Sequence, residues 1–420
     1  MNNKAIHTEI LQQAYAAASA SRRLVLCPTE TKNKALQAMA HALTRHHSEI
    51  LFRNEIDFEA GKQAGLTNAL LDRLRLDDKR IKAMITSLNE IAALPDPIGG
   101  TLYEREIHGG ARLQKVRVPL GVVGMIYESR PNVTVESAAL CLKSGNACIL
   151  RGGKEAVNTN MELINTIAPA MHAAGIPDGA LQFISVTDRE AVRVMTRLDH
   201  SIDLIIARGS EQMVRAVREG SMVPVLGHGK GLCHTYVDAH ADKNMAVTVT
   251  VNAKVQRPGV CNATESILVH QSRAADILPL LGRALMNAGV EIRGCSRTQK
   301  ILKGIRAATE DDWSTEYLDL RVSMKIVDSL DEALAHIARY GSRHTEAIIT
   351  GDIPVAEQFL ARVDAASVMH NASTRLHDGG VYGLGSEIGI STGKLHARGS
   401  MGLNDLTTTK FIIRGSGQIR

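Results

Sequence analysis

The sequence predicts an α/β protein with two units built on parallel sheets and a small β arm. The chain has 420 residues, more than one hydrophobic core usually organises, so we expect two or three packed units. Short apolar runs alternate with helix-length segments from residue 121 to about 237, and the alternation resumes after residue 261. This alternation is typical of βαβ units around a parallel sheet. Two charged, alternating runs near residue 110 break the pattern and predict the arm.

The first 94 or so residues are predicted to be helical. Apolar side chains recur there at helical spacing, and Pro95 and Pro97 then end the segment. Two stripes are predicted to face the core: Leu36, Met39 and Leu43, followed by Ile81, Met84, Ile85, Leu88 and Ile91. The alanine-rich stretch 14–20 belongs to an opening helix rather than a secretory signal, because polar residues between 9 and 13 interrupt the apolar region that a signal needs.

Eight apolar runs are predicted to be strands of the two sheets. Before residue 238 they are GVVGMIY, ACIL, LQFISV, DLIIA and CHTYV, and after Cys261 they are SILV, VSMKIV and AIIT. The glycine-rich segment Gly383–Gly385 with Gly389 resembles a dinucleotide fingerprint, but its spacing is wrong and no strand precedes it. We therefore predict that this segment is a loop.

The predicted arm begins with a β-hairpin. Residues 102–107 and 112–118 alternate in polarity and are joined through Gly109 and Gly110. Because charged side chains cover its faces, the hairpin has little core of its own. Residues 407–413 form another predicted strand, which could complete the hairpin's sheet. The hairpin is either an arm that pairs with a neighbouring subunit or an ordinary surface hairpin.

Composition and charge argue against nucleic-acid and membrane partners. The net charge is +5, its basic residues are dispersed, and only 3% of residues are aromatic, which leaves few stacking platforms for single strands. No apolar run approaches the roughly 18 residues that span a bilayer. We therefore expect a cytoplasmic protein. The mild positive excess suits anionic small molecules, and it is equally compatible with an ordinary solvated surface.

The six cysteines predict neither a disulfide framework nor a metal site, because none is arranged as CxxC or with histidines at ligand spacing. Cys141, Cys148 and Cys233 lie in apolar contexts and are predicted to be small buried residues, whereas Cys27 and Cys295 have no predicted role.

Cys261 differs from the other cysteines because Pro258 and Gly259 place it on a loop, beside Arg257, which favours a thiolate. On these grounds alone it is either a nucleophile or a structural cysteine beside a turn.

Several segments resemble known families. Pro119–Gly124 (PLGVVG) is similar to the entry to the cofactor domain of the aldehyde dehydrogenase superfamily, and Gly259-x-Cys261 resembles its catalytic segment. Four further segments resemble the γ-glutamyl phosphate reductases of that superfamily: YESRPNVT (127–134), ILRGGKE (149–155), CHTYVD (233–238) and KLHARG (394–399). The resemblance runs from about Asp72 to the end of the sequence.

The resemblance implies an aldehyde dehydrogenase-like fold, with two α/β domains on parallel sheets plus a small β oligomerisation arm. The implied boundaries are 1–101 and 119–226 for a cofactor-binding domain, 227–403 for a catalytic domain, and 102–118 and 404–420 for the arm. It also implies a homo-oligomer, a dimer or a tetramer formed as a dimer of dimers.

The implied activity is the NADPH-dependent reduction of γ-glutamyl 5-phosphate to glutamate-5-semialdehyde and phosphate through a cysteine thioester. This is the second step of proline biosynthesis from glutamate. Cys261 would be the nucleophile, and Asn132 would donate to the oxyanion; standing alone, Asn132 would be a turn residue after Pro131. Hydrolytic relatives carry Glu-Leu-Gly-Gly where this chain has Val225-Leu226-Gly227-His228, so the base that activates water is absent.

The cofactor and substrate residues follow from the same resemblance. The cations of the RGGK segment suit a 2′-phosphate, which favours NADPH over NADH. The implied cofactor residues are Arg151, Gly152, Gly153, Lys154, Gly209, Ser210 and Glu316, although Glu316 is equally compatible with a surface carboxylate. The implied substrate residues are Arg130, Arg257, Arg398, Asn371, Ser373 and Thr374.

Two other functions remain open at this point. A CoA-acylating aldehyde dehydrogenase also uses a cysteine thioester and lacks the hydrolytic glutamate, although the four reductase-like segments argue against it. A binding protein that keeps the fold without the chemistry is the other. Because the acyl phosphate is labile, a transient contact with glutamate 5-kinase is a further hypothesis.

Overall fold

Five helices precede the first strand. They are α1 (Asn3–Leu24), α2 (Thr29–Arg45), α3 (His47–Gln63), α4 (Asn68–Leu74) and α5 (Asp78–Ala93). The side chains of Thr67 and Asp77 each accept one free N–H group in the first turn of α4 and α5, and α5 ends just before Pro95. Both predicted stripes face the core, although Ile85 is only partly buried. The prediction of a helical first segment is therefore confirmed.

The computed structural model describes residues 3–420, apart from the side chain of Ala69. The chain forms two compact units. The first contains the residues up to Gly229 together with Gly383–Ile390 and Leu395–Arg420, and the second contains Lys230–Tyr382 and Ser391–Lys394. The division into cofactor-binding domain, catalytic domain and arm stays a prediction about roles. As packed bodies, the arm and residues 383–390 and 395–403 belong to the first unit.

The sheet of the first unit has five parallel strands in the order β5-β4-β3-β6-β7. These strands are β3 (Val122–Tyr127), β4 (Ala147–Arg151), β5 (Leu181–Phe183), β6 (Leu204–Arg208) and β7 (Val225–Gly227). The helices between them are α6 (Pro131–Lys143), α7 (Val157–Ala173), α8 (Arg189–Met195) and α9 (Glu211–Gly220). The strand order reverses direction between β3 and β6. In open parallel sheets, the carboxyl ends of strands at such a switch point border the ligand crevice.

The arm is a three-stranded antiparallel sheet in the order β1-β2-β17. The strands are β1 (Thr101–Ile107), β2 (Ala111–Pro119) and β17 (Thr407–Arg414). The hairpin and its completion by the C-terminal strand are thus confirmed. Few of the arm's apolar side chains are buried, and Leu102, Tyr103, Phe411 and Ile413 are all more than 40% exposed. The arm therefore lacks a core of its own.

The sheet of the second unit has seven parallel strands in the order β11-β10-β12-β9-β8-β13-β14. They are β8 (Cys233–Val237), β9 (Thr264–His270), β10 (Glu291–Gly294), β11 (Arg306–Ala307), β12 (Arg321–Val327), β13 (Thr345–Ile349) and β14 (Ser367–His370). The helices are α10 (Lys243–Val255), α11 (Gln271–Asn287), α12 (Ser296–Ile301), α13 (Leu330–Tyr340) and α14 (Ile353–Arg362). Two separate apolar clusters form the core of this unit.

All eight predicted strands are present, and several short ones were missed. The missed strands of the two parallel sheets are β7, β10, β11 and β14, each of two to four residues. A two-stranded ladder, β15 (Gly389–Ser391) with β16 (Gly399–Met401), was also missed. Residues 383–385 lie in a loop, as predicted, but Gly389 begins β15, so the prediction is wrong for that residue. Within residues 3–420, we find no helix with the length and apolar character that spanning a membrane requires.

Candidate active site

The Cys261 loop connects α10 to β9 and thus reaches the amino-terminal edge of the second unit's sheet. Cys261 is partly buried, and its main chain lies against Gly231, just before β8. A Cβ atom on Gly231 would stand 2.1 Å from the carbonyl oxygen of Cys261 and 2.5 Å from its Cα atom. Backbone atoms cannot move aside as a flexible side chain can, so only glycine fits at position 231.

Cys233, the first residue of β8, gives the loop a second contact. Its thiol donates to the carbonyl oxygen of Cys261, with a distance of 3.1 Å between the sulfur and the oxygen. Burial raises the pKa of the Cys233 thiol well above its usual range, so this group stays a protonated donor. The sequence correctly predicted that Cys141, Cys148 and Cys233 are buried, and for Cys233 the structure adds this contact.

Arg375 holds the loop at both ends. Its Nε donates to Oε1 of Gln256 at 2.9 Å, and its Nη1 donates to Oδ1 of Asn262. Burial lowers the pKa of the Arg375 guanidinium, Arg257 lowers it further, and Cys261 opposes both effects. The fork of Arg375 therefore fixes the residues that flank Cys261 and brings a positive charge within electrostatic range of its sulfur.

Glu316 lies beside the same glycine. Its Oε1 accepts the backbone N–H of Gly231 at 2.9 Å, so this predicted cofactor residue also supports the residue on which the Cys261 loop rests. Two residues further on, the backbone N–H of Leu318 donates to Glu265 at 3.1 Å. Leu318 has a φ angle of 52°, a left-handed conformation that costs a branched side chain free energy.

A fully buried ion pair supports this segment. Lys254 Nζ, in the last turn of α10, lies 2.6 Å from Oε2 of Glu265 on β9. Burial raises the pKa of Glu265 to about 7, against the opposing effect of Lys254, and it lowers the pKa of Lys254. The same ion pair therefore stabilises both the end of α10, which leads into the Cys261 loop, and the segment that carries Glu316.

Three of the predicted substrate residues of the second unit form hydrogen bonds within that unit. The amide of Asn371 exchanges two hydrogen bonds of 3.0 Å with the backbone of Thr350. The hydroxyl of Ser373 accepts the N–H of Arg375, and the buried hydroxyl of Thr374 lies 3.3 Å from that of Thr264. Arg257 is exposed. Their roles toward a substrate stay predictions.

In the first unit, Asn132 lies in the first turn of α6, directly after Pro131. Its Nδ2 donates to Oε1 of Glu136, one turn further along, at 3.0 Å. Arg130 immediately precedes this helix, and Arg398 is partly buried in the same unit. The structure thus places three predicted residues in the first unit, while Cys261 belongs to the second.

The predicted cofactor residues of the first unit follow β4 and β6. After β6, the exposed residues Gly209 and Ser210 pack against Glu128, whose Oε2 accepts the N–H of Ser210 at 2.7 Å. Ser210 also caps α9 by accepting the N–H of Met213. This arrangement leaves the start of α9 beside the switch point of the sheet.

The four residues of the RGGK segment, which was predicted to bind the 2′-phosphate, differ in whether they are available to an anionic ligand. Arg151 donates to the backbone carbonyls of Gly152 and Thr187 at 2.9 Å, and burial lowers the pKa of its guanidinium. Gly152 and Gly153 are buried, and a Cβ on Gly153 would stand 2.1 Å from Glu155. Lys154 is exposed and forms no ion pair with any residue in the described part of the chain. Lys154 is therefore the cation available to an anionic ligand.

Comparisons with known proteins settle the family. A model of the aldehyde dehydrogenase family matches residues 3–292. The chain is 53% identical over 412 residues to the γ-glutamyl phosphate reductase of Moorella thermoacetica, covering 98% of this chain and 99% of the relative. It is 50% identical over 415 residues to that of Heliobacterium modesticaldum, covering 99% and 100%. The chain belongs to the γ-glutamyl phosphate reductases of the aldehyde dehydrogenase family.

Solved structures agree with this family. The crystal structure of the γ-glutamyl phosphate reductase of Thermotoga maritima is similar with a TM-score of 0.95 at 45% identity, covering 98% of this chain and 100% of that one. The predicted aldehyde dehydrogenase-like α/β fold is therefore confirmed. An acetylating aldehyde dehydrogenase of Geobacillus thermoglucosidasius, with a TM-score of 0.70 at 17% identity, shares the fold alone.

Sequence reasoning did not name three residues that contact the candidate site: Gly231 and Arg375, which hold the Cys261 loop, and Glu136, which accepts a hydrogen bond from Asn132. Arg375 directly follows two residues that were named. Glu136 stands four residues after Asn132, in one of the helix-length segments between predicted strands, and side chains at this spacing meet on a helix. Both signals were available in the sequence. The need for glycine at position 231 was not, because it depends on a backbone 30 residues away in the chain.

We predict that Arg375→Lys slows both turnover and alkylation of Cys261, because an ammonium keeps the charge but cannot hold both ends of the loop. Turnover should fall by about 10-fold or more, as expected when a reacting group is misplaced. The alkylation rate is measured with iodoacetamide and peptide mapping. Arg339→Lys, on the exposed face of α13, is the matched control. Parental rates in both assays for Arg375→Lys would contradict the role of the fork.

Proposed function

We propose that this chain reduces γ-glutamyl 5-phosphate to glutamate-5-semialdehyde and phosphate with NADPH, through a thioester on Cys261, in the second step of proline biosynthesis. The observation that carries the proposal is the fixed loop of Cys261, held by Gly231, Cys233 and Arg375. The names of relatives about half identical over nearly the whole chain supply the substrate.

The residues of the chain account for the steps on the substrate carbon. The thiolate of Cys261 forms a C–S bond to the acyl carbon while the C–O bond to phosphate breaks. Asn132 Nδ2 and the backbone N–H of Cys261 donate to the carbonyl oxygen as it gains charge, at about 3 to 4 kcal/mol per donor. When bound, the nicotinamide cofactor supplies the hydride that reduces the thioester. Cys261 then leaves as a thiolate when the C–S bond breaks and the aldehyde forms.

Val225 supports a phosphorylating rather than a hydrolytic reaction. It begins β7, where hydrolytic members of the superfamily carry the glutamate that activates water, and its side chain packs against the core of the first unit. Without a general base at this place, the thioester is protected from water until hydride or phosphate reacts with it.

The residues of the first unit fit a nicotinamide dinucleotide. Enzymes of the aldehyde dehydrogenase family use NAD or NADP. The strand order of the first sheet provides a switch point, and the segment after β4 offers the exposed ammonium of Lys154. We propose that Lys154 holds the 2′-phosphate, with Arg151 nearby, and that Gly209, Ser210 and Glu316 contact the rest of the cofactor.

Lys154→Glu tests the cofactor assignment. Since a carboxylate repels a 2′-phosphate but has no such group to repel in NADH, we expect the Kd for NADPH to rise about 10-fold or more while that for NADH changes little. Both constants can be read from nicotinamide fluorescence. Lys82→Glu reverses an exposed charge on α5 as the control. An equal change for both dinucleotides would exclude a 2′-phosphate contact.

Cys261→Ser tests the reaction itself. We expect phosphate-dependent reduction of NADP⁺ with glutamate-5-semialdehyde to fall by about 10³-fold or more, because serine is a far weaker nucleophile here. The acyl adduct on Cys261 should be detected by mass spectrometry of the parental protein. Cys27→Ser is the control. Parental turnover by Cys261→Ser, or a reaction supported by CoA and not by phosphate, would overturn the proposal.

Thiol reactivity separates an enzyme from a binding protein, provided that the reference thiol is chosen well. Burial raises the pKa of Cys27, whereas at Cys295 hydrogen bonds from Thr298 and nearby backbone groups outweigh burial and lower the pKa. Because a lower pKa increases the thiolate fraction, Cys27 is a better reference thiol than Cys295. A Cys261 that is alkylated no faster than Cys27 would favour the binding protein.

We propose that the arm mediates a homo-oligomer, a dimer or a tetramer. The apolar side chains of Phe411 and Ile413 on β17 are 58% and 60% exposed. Exposed apolar clusters of this kind often mark protein interfaces. Phe411→Asp should therefore shift the sedimentation coefficient toward that of a monomer, whereas Thr408→Asp, also exposed on β17, should not. A compact monomer of the parental protein would contradict the proposal.

Two further parts of the proposal concern the cell. A cytoplasmic location remains the prediction from the sequence. Transient contact with glutamate 5-kinase remains a hypothesis, motivated by the lability of the acyl phosphate. Direct transfer requires that coupled flux from the kinase stays unchanged when an excess of a trapping nucleophile is added.

A further inference from the structure

The oxyanion role proposed for Asn132 depends on which end of its amide faces the substrate. A carboxamide presents an N–H₂ donor and a carbonyl acceptor of nearly the same shape, and a half-turn about its last torsion exchanges them. Only the donor end stabilises an oxyanion, and the acceptor end repels it. Something in the protein must therefore discriminate between the two orientations.

Glu136 distinguishes between the two orientations of the Asn132 amide. Its Oε1 accepts one N–H of Asn132 at 3.0 Å, across one turn of α6. An ionised carboxylate has no proton to donate, so it can bind Nδ2 and repels Oδ1. With one N–H held by Glu136, the second N–H of the same nitrogen points elsewhere and is free for a substrate oxygen.

Burial raises the pKa of Glu136, and the hydrogen bond from Asn132 and two nearby cations oppose this rise. Arg208 at the end of β6 and Arg130 before α6 both act to lower the pKa of Glu136, whereas Glu387 acts to raise it. Arg208 is itself fixed, since its Nη1 donates to the carbonyl of Ile388 at 3.0 Å. Two cations from different elements thus stand near one carboxylate on the face of α6 that carries Asn132.

We propose that Glu136 is a positioning residue that fixes the amide of Asn132 with its nitrogen toward the acyl oxygen. The inference rests on the proposed function, since it takes Asn132 as the oxyanion donor, and it adds a residue to which no role has been assigned. Glu136 touches neither substrate nor cofactor in this role, and it acts through Asn132 alone.

A dependence on pH follows from the same geometry. A protonated Glu136 can donate to Oδ1 of Asn132 and so stabilise the reversed amide. Burial raises the pKa of Glu136, with Asn132, Arg208 and Arg130 opposing this and Glu387 adding to it. Since the pKa in the folded protein lies above its ordinary value, the productive orientation is lost as the pH falls through that raised value. Turnover should therefore have an acidic limb that belongs to Glu136.

Glu136→Gln is the first test, because glutamine keeps the size and can either accept or donate. We expect kcat to fall about 10-fold or more, with KM nearly unchanged, which is less than the loss of about 10²- to 10³-fold for Asn132→Ala. The ratio of Glu136→Gln to parental rates, taken at each pH, cancels the effect of pH on the substrate. This ratio should rise toward one at acidic pH, where the parental residue is protonated too.

A double-mutant cycle tests whether Glu136 acts through Asn132. In the Asn132→Ala background, Glu136→Gln should change kcat by less than about 3-fold, since the group it positions is gone. Glu136→Asp should restore part of the activity, because it returns a carboxylate on a shorter side chain. Glu162→Gln, on α7 in the same unit, is the matched control for loss of a partly buried carboxylate. The Kd for NADPH and the alkylation rate of Cys261 report whether each variant is folded.

The outcomes separate this inference from the proposed function. Suppose that Asn132→Ala lowers kcat but that the effect of Glu136→Gln is additive with it, or that Glu136→Gln keeps the parental rate and pH profile. Glu136 then does not position the amide, and the proposed reaction is unaffected. If Asn132→Ala itself turns over at the parental rate, the oxyanion assignment falls and the inference falls with it. If a Glu136 variant no longer binds NADPH, Glu136→Met takes its place in the same double-mutant cycle, and the same outcomes support or contradict the inference.

Discussion

The close approach of the Cys261 main chain to Gly231 is the constraint on which the rest of the catalytic loop depends. A methyl group at position 231 would overlap the carbonyl oxygen and the Cα atom of Cys261, so the loop could not rest there. The same glycine donates its N–H to Glu316, and two residues later Cys233 donates to the Cys261 carbonyl. The three residues 231–233, which lead into β8, therefore fix the positions of the Cys261 loop, the Glu316 carboxylate and the Cys261 carbonyl.

In the second unit, charged side chains fix the positions of the segments around Cys261. Arg375 binds the residues on both sides of Cys261, and Lys254 with Glu265 links α10 to the segment of Glu316. A buried ion pair contributes little net stability compared with apolar residues of the same volume, but losing one partner costs about 3 to 5 kcal/mol. Such pairs are therefore better understood as devices that fix geometry than as sources of stability.

The sequence predicted the architecture well because its signals are local. Apolar runs of four to seven residues became β3, β4, β5, β6, β8, β9, β12 and β13, while the other strands, of two to four residues, left too little pattern to see. The loop position of Cys261 followed from its proline and glycine neighbours. What the sequence did not predict depends on contacts between distant segments, such as the space at Gly231 and the fork of Arg375. The sequence also could not show that Asn371 and Thr374, which were named as substrate residues, have hydrogen-bond partners within the protein.

The pairing of β2 with β17 has a consequence for how the protein is made. Thr407 pairs with Pro119, so the partner strand of β2 leaves the ribosome about 290 residues later, which takes about 15 to 60 s at ordinary rates of synthesis. During that time one edge of β2 has no partner, and the whole second unit is synthesised in between. An unpaired strand edge is a template for pairing with other chains. The nascent chain must therefore shield this edge, by chaperones or by its own charged side chains, until translation reaches β17.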